Sequence, residues 1–236
     1  MSKISARDIN TITIMSSPDK NIQIFGIHNY DEYWKNRKNK NRTYKTDIHR
    51  ILVELVVKHT PQKSKILDLG VGPGHLFKEL QELKFDMYGV EISEEAFGLY
   101  NFPSDQITKH DLQKGIPTIT AKPFKTIIAS HIIHHMREPI SFIHQARENL
   151  DTGGIFIVAT QNISFILYRL KYLFFGEFPK VSFGHINFIS PYEYREILKK
   201  SGFEIIDIRT TGSHTFLNKI FPFWFSGTLF FVCRKT

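Results

Sequence analysis

The residues best suited to chemistry fall in three clusters. The first is Lys65-Ile-Leu-Asp-Leu-Gly-Val-Gly-Pro-Gly-His75, an apolar strand running into a glycine-rich turn that opens a helix, with Asp68 two positions ahead of Gly70. Glycines at such a turn let backbone approach a ligand closely. Gly70, Gly72 and Gly74 are spaced G-x-G-x-G, whereas a dinucleotide-binding turn uses G-x-G-x-x-G, which argues against NAD. The second cluster is acidic. Glu91 lies 23 positions after Asp68 at the end of an apolar stretch, placed to accept hydrogen bonds from ribose hydroxyls, with a surface carboxylate as the alternative. Asp111-Leu112 follows the next short apolar run, where a carboxylate beside an apolar residue suits an adenine edge. The third cluster is Ser130-His-Ile-Ile-His-His135. Imidazoles titrate near neutrality and serve as general bases, although packing or loop orientation is the competing role. The histidines lack a Cys or Glu partner at ligand spacing, so no metal is expected.

These clusters need a sheet to bring them to one edge. From about residue 46 short apolar runs alternate with helical patterns, the habit of a doubly wound α/β sheet. Helices are expected at 47–58, 75–84, 94–100, 138–150 and 191–201. Strands are expected at 65–69, 86–91, 106–109, 124–130, 155–160, 203–210 and 228–233, with a turn at Asp151-Thr-Gly-Gly154. Residues 161–190 break the rhythm as a long insertion.

In this order the acid-x-Gly-x-Gly-x-Gly run, the acid ending strand two and the acid after strand three resemble the class I S-adenosylmethionine-dependent methyltransferases. Phe124 to Pro139 is similar to the family's strand four and histidine-bearing loop, except that Lys125 stands where the family often has Asp. The Thr160-Gln-Asn162 segment, the insertion and Gly184-His-Ile-Asn187 are most similar to ubiquinone-biosynthesis-like O-methyltransferases and to bacterial glycan- and cell-surface-associated methyltransferases. The resemblance implies a seven-stranded, mostly parallel sheet with strand seven antiparallel and helices on both faces. It also implies one domain over 1–236: an N-terminal helical cap over 1–45, a cofactor-binding core over 46–160, a lid or insertion over 161–190 and the rest of the core over 191–236. The implied cofactor is S-adenosyl-L-methionine. Gly70, Gly72, Gly74 and Ser130 would meet its methionyl part, Asp68 its ammonium, Glu91 with Ile92 its ribose, and Asp111 with Leu112 its adenine. Tyr33 and Arg37, in a segment like the family's Tyr-Trp-x-x-Arg cover helix, and Arg50 are further cofactor candidates.

Methyl transfer to a hydroxyl benefits from a base, and His135, with His134 close behind, would lie beside the donor. His131, Tyr168 and His185 are candidate acceptor contacts, while His75 has a structural role at a helix start. In the insertion Ile163, Ile166, Leu167, Leu170, Leu173 and Phe174 repeat at helical spacing among aromatics, too apolar for a free surface helix. It reads as packing over the sheet edge, as a lid, or as an interfacial helix; 163–178 and 216–225 together suit peripheral membrane contact and a lipid-linked acceptor.

Composition sets the outer bounds. The 236 residues carry 31 Lys and Arg against 23 Asp and Glu, a formal charge of +8, with 42% hydrophobic and 23% charged residues, which excludes a disordered or fibrous chain. The single Cys233 excludes a disulfide-built scaffold, and Met1 to Met15 lacks a signal-peptide pattern, so the expected place is the cytoplasm, with peripheral attachment at the inner face of a membrane. Basic residues concentrate between Lys35 and Arg50, as a solvated helix face or an anion-attracting rim. The leading function is O-methylation of a small or lipid-linked acceptor, sugar or glycan first and quinone-like phenol second. Nucleic acid is not the expected partner; an enzyme acting on RNA or protein and a non-catalytic cofactor-binding subunit are the alternatives, and composition says nothing of oligomeric state.

Overall fold

The computed structural model describes residues 30, 31, 34, 35, 47–97, 103, 105–176, 186–211, 216 and 220–236. Helix α1 (Asp47–His59) forms because Ile51, Leu52, Leu55 and Val56 share one face, which it buries, and it stops ahead of Pro61. Next come β1 (Lys65–Leu69), α2 (His75–Glu82), β2 (Asp86–Glu91), α3 (Glu94–Phe97), β3 (Ile107–Lys109) and β4 (Phe124–Ser130). Then follow α4 (Pro139–Asn149), β5 (Leu150–Gln161), α5 (Ile166–Phe175), α6 (Pro191–Lys200), β6 (Phe203–Thr210), α7 (Pro222–Phe225) and β7 (Thr228–Lys235).

The seven strands form one sheet in the order β3-β2-β1-β4-β5-β7-β6, with β7 antiparallel to both of its neighbours. This is the architecture expected from the sequence. Phe77 and Leu80 of α2 and Leu52 and Leu55 of α1 cover one face of the sheet over Ile66, Met87, Ile157 and Phe230. Phe142 and Ile143 of α4 and Tyr194 and Leu198 of α6 cover the other over Leu67, Ile127, Phe156 and Phe231. Burial on both faces explains why the central strands read as unbroken apolar runs.

The expected turn at Asp151–Gly154 lies inside β5. Pairing jumps from Phe124 with Leu150 to Thr126 with Ile155, so these four residues bulge from the strand, Gly153 at φ 64°. Strand β7 also continues to Lys235, beyond the expected 233. Helix α6 starts on a capping box: the Ser190 hydroxyl accepts from the Glu193 amide, and the Glu193 carboxylate accepts from the Ser190 amide at 2.8 Å.

Strands β1 to β5 run parallel and end at one edge. Strand order reverses at β1 and β4, and the crevice outside such a reversal is where open α/β sheets hold ligands.

Candidate functional site

The turn after β1 depends on its glycines. Gly70, Gly72 and Gly74 all have left-handed φ, at 85°, 56° and 79°. A Cβ at Gly72 would sit 3.2 Å from the Trp34 ring, and one at Gly70 would sit 3.3 Å from the Ile132 side chain. The turn is therefore wedged between the N-terminal residues and the loop after β4. It stays joined to β2, because the amides of Gly70 and Val71 both donate to the Val90 carbonyl, at 2.9 and 3.2 Å.

Two buried acids stand behind this turn. Glu91 accepts from the Gly72 amide at 2.7 Å through one oxygen, and from Ile92 and Ser93 at 2.9 and 3.0 Å through the other. Burial still raises its carboxyl above the usual range. A carboxylate offers about four acceptor positions, so one remains for an incoming hydroxyl. Asp68 is only 2% exposed, and its Oδ1 has no hydrogen-bond partner among the described residues. Burial first, and Glu91 second, push its carboxyl up to about 8. An orphaned acid of this kind is a seat for a cation that can displace its proton.

Asp111 caps the short 3-10 turn Leu112–Lys114, its Oδ1 accepting from the Gln113 amide at 3.0 Å, while Leu112 is buried. Tyr30 lies near both Asp111 and Glu91: burial, then the two carboxylates in that order, push its phenol up to about 12. Asp31 accepts from the Ser93 hydroxyl and from the Glu95 amide. Thus Tyr30, Asp31 and Trp34 cover the glycine turn and the end of β2. Tyr33 and Arg37, the residues expected in that cover, lie with His185 outside the described residues. The missed signal was the four-residue spacing of Tyr30 and Trp34, which puts them on one helix face.

Beyond half-buried Ser130 the chain turns sharply. His131 has φ 55°, a left-handed conformation costing a non-glycine residue about 1–2 kcal/mol, and its amide donates to the Ala159 carbonyl at 2.8 Å. Its Nε2 has no partner among the described residues. Burial first, and His135 second, pull its imidazole down to about 4, so it is neutral at neutral pH and a poor base. Ile133–His135 forms a 3-10 turn in which the His134 ring, 3% exposed, lies 5.5 Å from the His131 ring and 4.5 Å from that of His135. His135 is the more open of the favoured pair. Gln113, which sequence reasoning overlooked, ties this loop to the β3 side: its amide donates to the His135 carbonyl at 2.6 Å and accepts from the Arg137 amide at 3.1 Å.

Two further candidates have contacts of their own. The Tyr168 hydroxyl, at the start of the insertion, accepts from Gln161 at 2.9 Å just beyond β5. The second is Arg50, expected from the sequence as a cofactor contact. It sits on α1 in a cavity shared with Ile208, Arg209 and Phe223, next to β6 at the far side of the sheet from β1, and its guanidinium binds Glu54 at 2.6 Å and Asp47 at 3.7 Å.

A family described as the methyltransferase domain matches residues 33–208, about three quarters of the chain. This chain belongs to the methyltransferase-domain family. The ubiquinone biosynthesis O-methyltransferase of Azoarcus sp. (strain BH72) is 23% identical over 154 residues, covering 61% of this chain and 66% of that protein. The chain spans less than two thirds of the length of the first curated relatives it matches. A SAM-dependent methyltransferase from Archaeoglobus fulgidus superposes with a TM-score of 0.63 at 14% identity, covering 86% of this chain and 100% of that one. The magnesium protoporphyrin IX methyltransferase from Synechocystis, solved with bound SAH, superposes with a TM-score of 0.60 at 17% identity, covering 88% and 95%. The orphaned Asp68 carboxyl, the glycine turn and the remaining Glu91 acceptor position fit the ammonium, methionyl and ribose groups of S-adenosylmethionine.

Proposed function

We propose that this methyltransferase transfers a methyl group from S-adenosylmethionine to a hydroxyl of a small or lipid-linked acceptor, with His135 as general base. The observation carrying the proposal is the buried, partnerless Asp68 oxygen behind a left-handed glycine turn, one strand away from the half-open His135. The sulfonium of the cofactor supplies a methyl group already activated for displacement. The chain's own work is positioning: Asp68 holds the ammonium, Glu91 with Ile92 the ribose, Asp111 with Leu112 the adenine, and Ser130 the methionyl chain. Tyr30 and Trp34 roof the cleft against water. His135 accepts the proton of the acceptor hydroxyl, while buried His134 and neutral His131 shape the wall behind it. Alignment of acceptor and methyl to about 3 Å supplies most of the remaining rate.

Calorimetric titration with S-adenosylmethionine, and separately with NADH, tests the first half; micromolar binding of the former alone is expected. Transfer of labelled methyl to phenolic, sugar and lipid-linked hydroxyls tests the second. The relatives' name supports a quinone-like phenol alongside the sugar acceptor favoured by sequence.

A membrane-side acceptor is the finer reading. Helix α5 buries no residue, and Leu173, Phe174 and Phe175 are 73%, 69% and 75% exposed. Phe216, Phe221 and Trp224 are exposed as well, and the Arg169 guanidinium lies 5.1 Å over the Trp224 ring, so α5 and α7 meet in one surface. Exposed aromatics beside cationic residues on a chain of charge +8 suit the interface of an anionic bilayer. Among the described residues no helix is long and apolar enough to cross a membrane. Peripheral attachment at the inner face of a membrane would bring a lipid-linked acceptor to the cleft, and sedimentation with phosphatidylglycerol vesicles tests it.

A further inference from the structure

We infer that Gln113 is a positioning residue that couples occupancy of the cofactor cleft to the posture of the histidine loop; the inference rests on the cofactor reading above. Gln113 touches both sides of the site. Its backbone amide donates to Asp111 Oδ1 at 3.0 Å, on the side where the adenine lies. Its side-chain amide crosses to the other side, Nε2 donating to the His135 carbonyl at 2.6 Å and Oε1 accepting from the Arg137 amide at 3.1 Å.

These two contacts have opposite polarity, so they fix which way round the amide lies and demand glutamine. Glutamate keeps the acceptor for Arg137 but has no donor for His135. Methionine keeps the length and loses both bonds. The loop held this way is a single 3-10 turn, closed by the His135 amide on Ile132 and the Met136 amide on Ile133. On its opposite side it is gripped by the insertion: the His134 carbonyl accepts from the amides of Ile186 and Asn187 at 2.9 and 3.1 Å. The His135 carbonyl thus hangs from Gln113, and Gln113 hangs from the turn capped by Asp111. A ligand that presses on Asp111 and Leu112 moves the anchor of the base. The chain of bonds from Asp111 through Gln113 to His135 gives cofactor binding and base geometry a route of coupling, which the test below must demonstrate.

The test uses full-length protein with ¹⁵N-labelled histidine, titrated with S-adenosylhomocysteine, with the His135 signal assigned from His135→Gln. In the wild type the ligand should shift the His135 resonance and move its titration midpoint. In Gln113→Met the ligand should still bind within about threefold of wild type, while the His135 response shrinks by half or more. Gln113→Glu should behave likewise, and thermal unfolding of both variants separates this from misfolding. A His135 response of wild-type size in both variants would overturn the coupling while leaving the cofactor reading intact. A tenfold loss of ligand affinity in both would also overturn it, by making Gln113 part of the cofactor site itself. Absence of ligand binding by the wild type would remove the cofactor reading, and the coupling with it.

Discussion

The edge of β1 and β2 and the surface of α5 and α7 are built on opposite terms. At the first, backbone does the work: glycines in left-handed conformations, amides converging on Glu91, and an acid sealed in the interior. At the second, no α5 side chain is buried and large apolar groups face outward. A ligand common to a whole family can be held by backbone, which tolerates few substitutions. A ligand particular to one member must be recognised by side chains that are free to change. On the proposed reading, the cofactor end of this chain is therefore specified by shape, and the acceptor end by apolarity.

The largest effect should come from the base. Replacing both His134 and His135 with Ala should lower turnover by about 10²- to 10⁴-fold while leaving S-adenosylmethionine affinity within about threefold. Unchanged turnover on an identified acceptor would end the general-base role and leave the comparison resting on binding alone. Next is Asp68→Asn, which removes a charge-assisted bond worth about 1.5–3 kcal/mol and should weaken cofactor binding by about 10- to 100-fold in calorimetry. Its melting temperature should rise above that of the wild type at pH 7, since the empty folded protein keeps a proton on Asp68 that the unfolded chain has released, a penalty that Asn does not carry. Full affinity in this variant would break the assignment of the glycine turn as the cofactor seat.

At the other end, Phe174→Ser combined with Phe175→Ser should cut binding to phosphatidylglycerol vesicles by about tenfold, judged from partial loss of about 1.5–3 kcal/mol per buried aromatic. Fold stability should move by no more than about 0.5 kcal/mol, because both rings are already exposed. A large loss of stability, measured by urea unfolding, would mean that α5 packs against the body of the protein and is not a docking face.

This division also governs what could be read from the residues alone. Strands β1, β2, β4 and β6 lie where their apolar runs end at glycine, proline or charge, and the glycine turn was legible because left-handed backbone is a local demand. Gln113 was not, since its partners His135 and Arg137 are 22 and 24 residues away and only the adjacency of the two loops makes it useful. The setting of Arg50 was hidden for a related reason. Helical periodicity fixes which face of α1 is apolar, not which strand end that helix crosses. Tyr168, expected against the acceptor, is held by Gln161, a contact across the base of the insertion that spacing could not reveal.

The smallest expected effect is the most specific to the buried acid. Because burial and Glu91 push Asp68 up to about 8 from the usual value of 3.8, the empty folded protein holds a proton there through the window between those values. The unfolded chain has released it, so on this account stability falls as pH rises through the window. Cofactor binding runs the other way: the ammonium needs the anion, so binding expels the proton and tightens as pH rises. Between pH 7 and pH 8 the ionised fraction of Asp68 goes from about one eleventh to about one half, while the ligand's own amino group, with its midpoint at about 7.7–8.0, loses about half of its protonated fraction, so the expected net gain is about two- to threefold in affinity. Above that the gain should stop, as the ligand loses the rest of its charge. Calorimetry in two buffers of different ionisation heat counts the proton directly, and near one proton should be released per cofactor bound at pH 7. Asp68→Asn should release none and show no rise over the same interval; a wild type equally flat would place the ammonium on some other group and detach the glycine turn from the acid behind it.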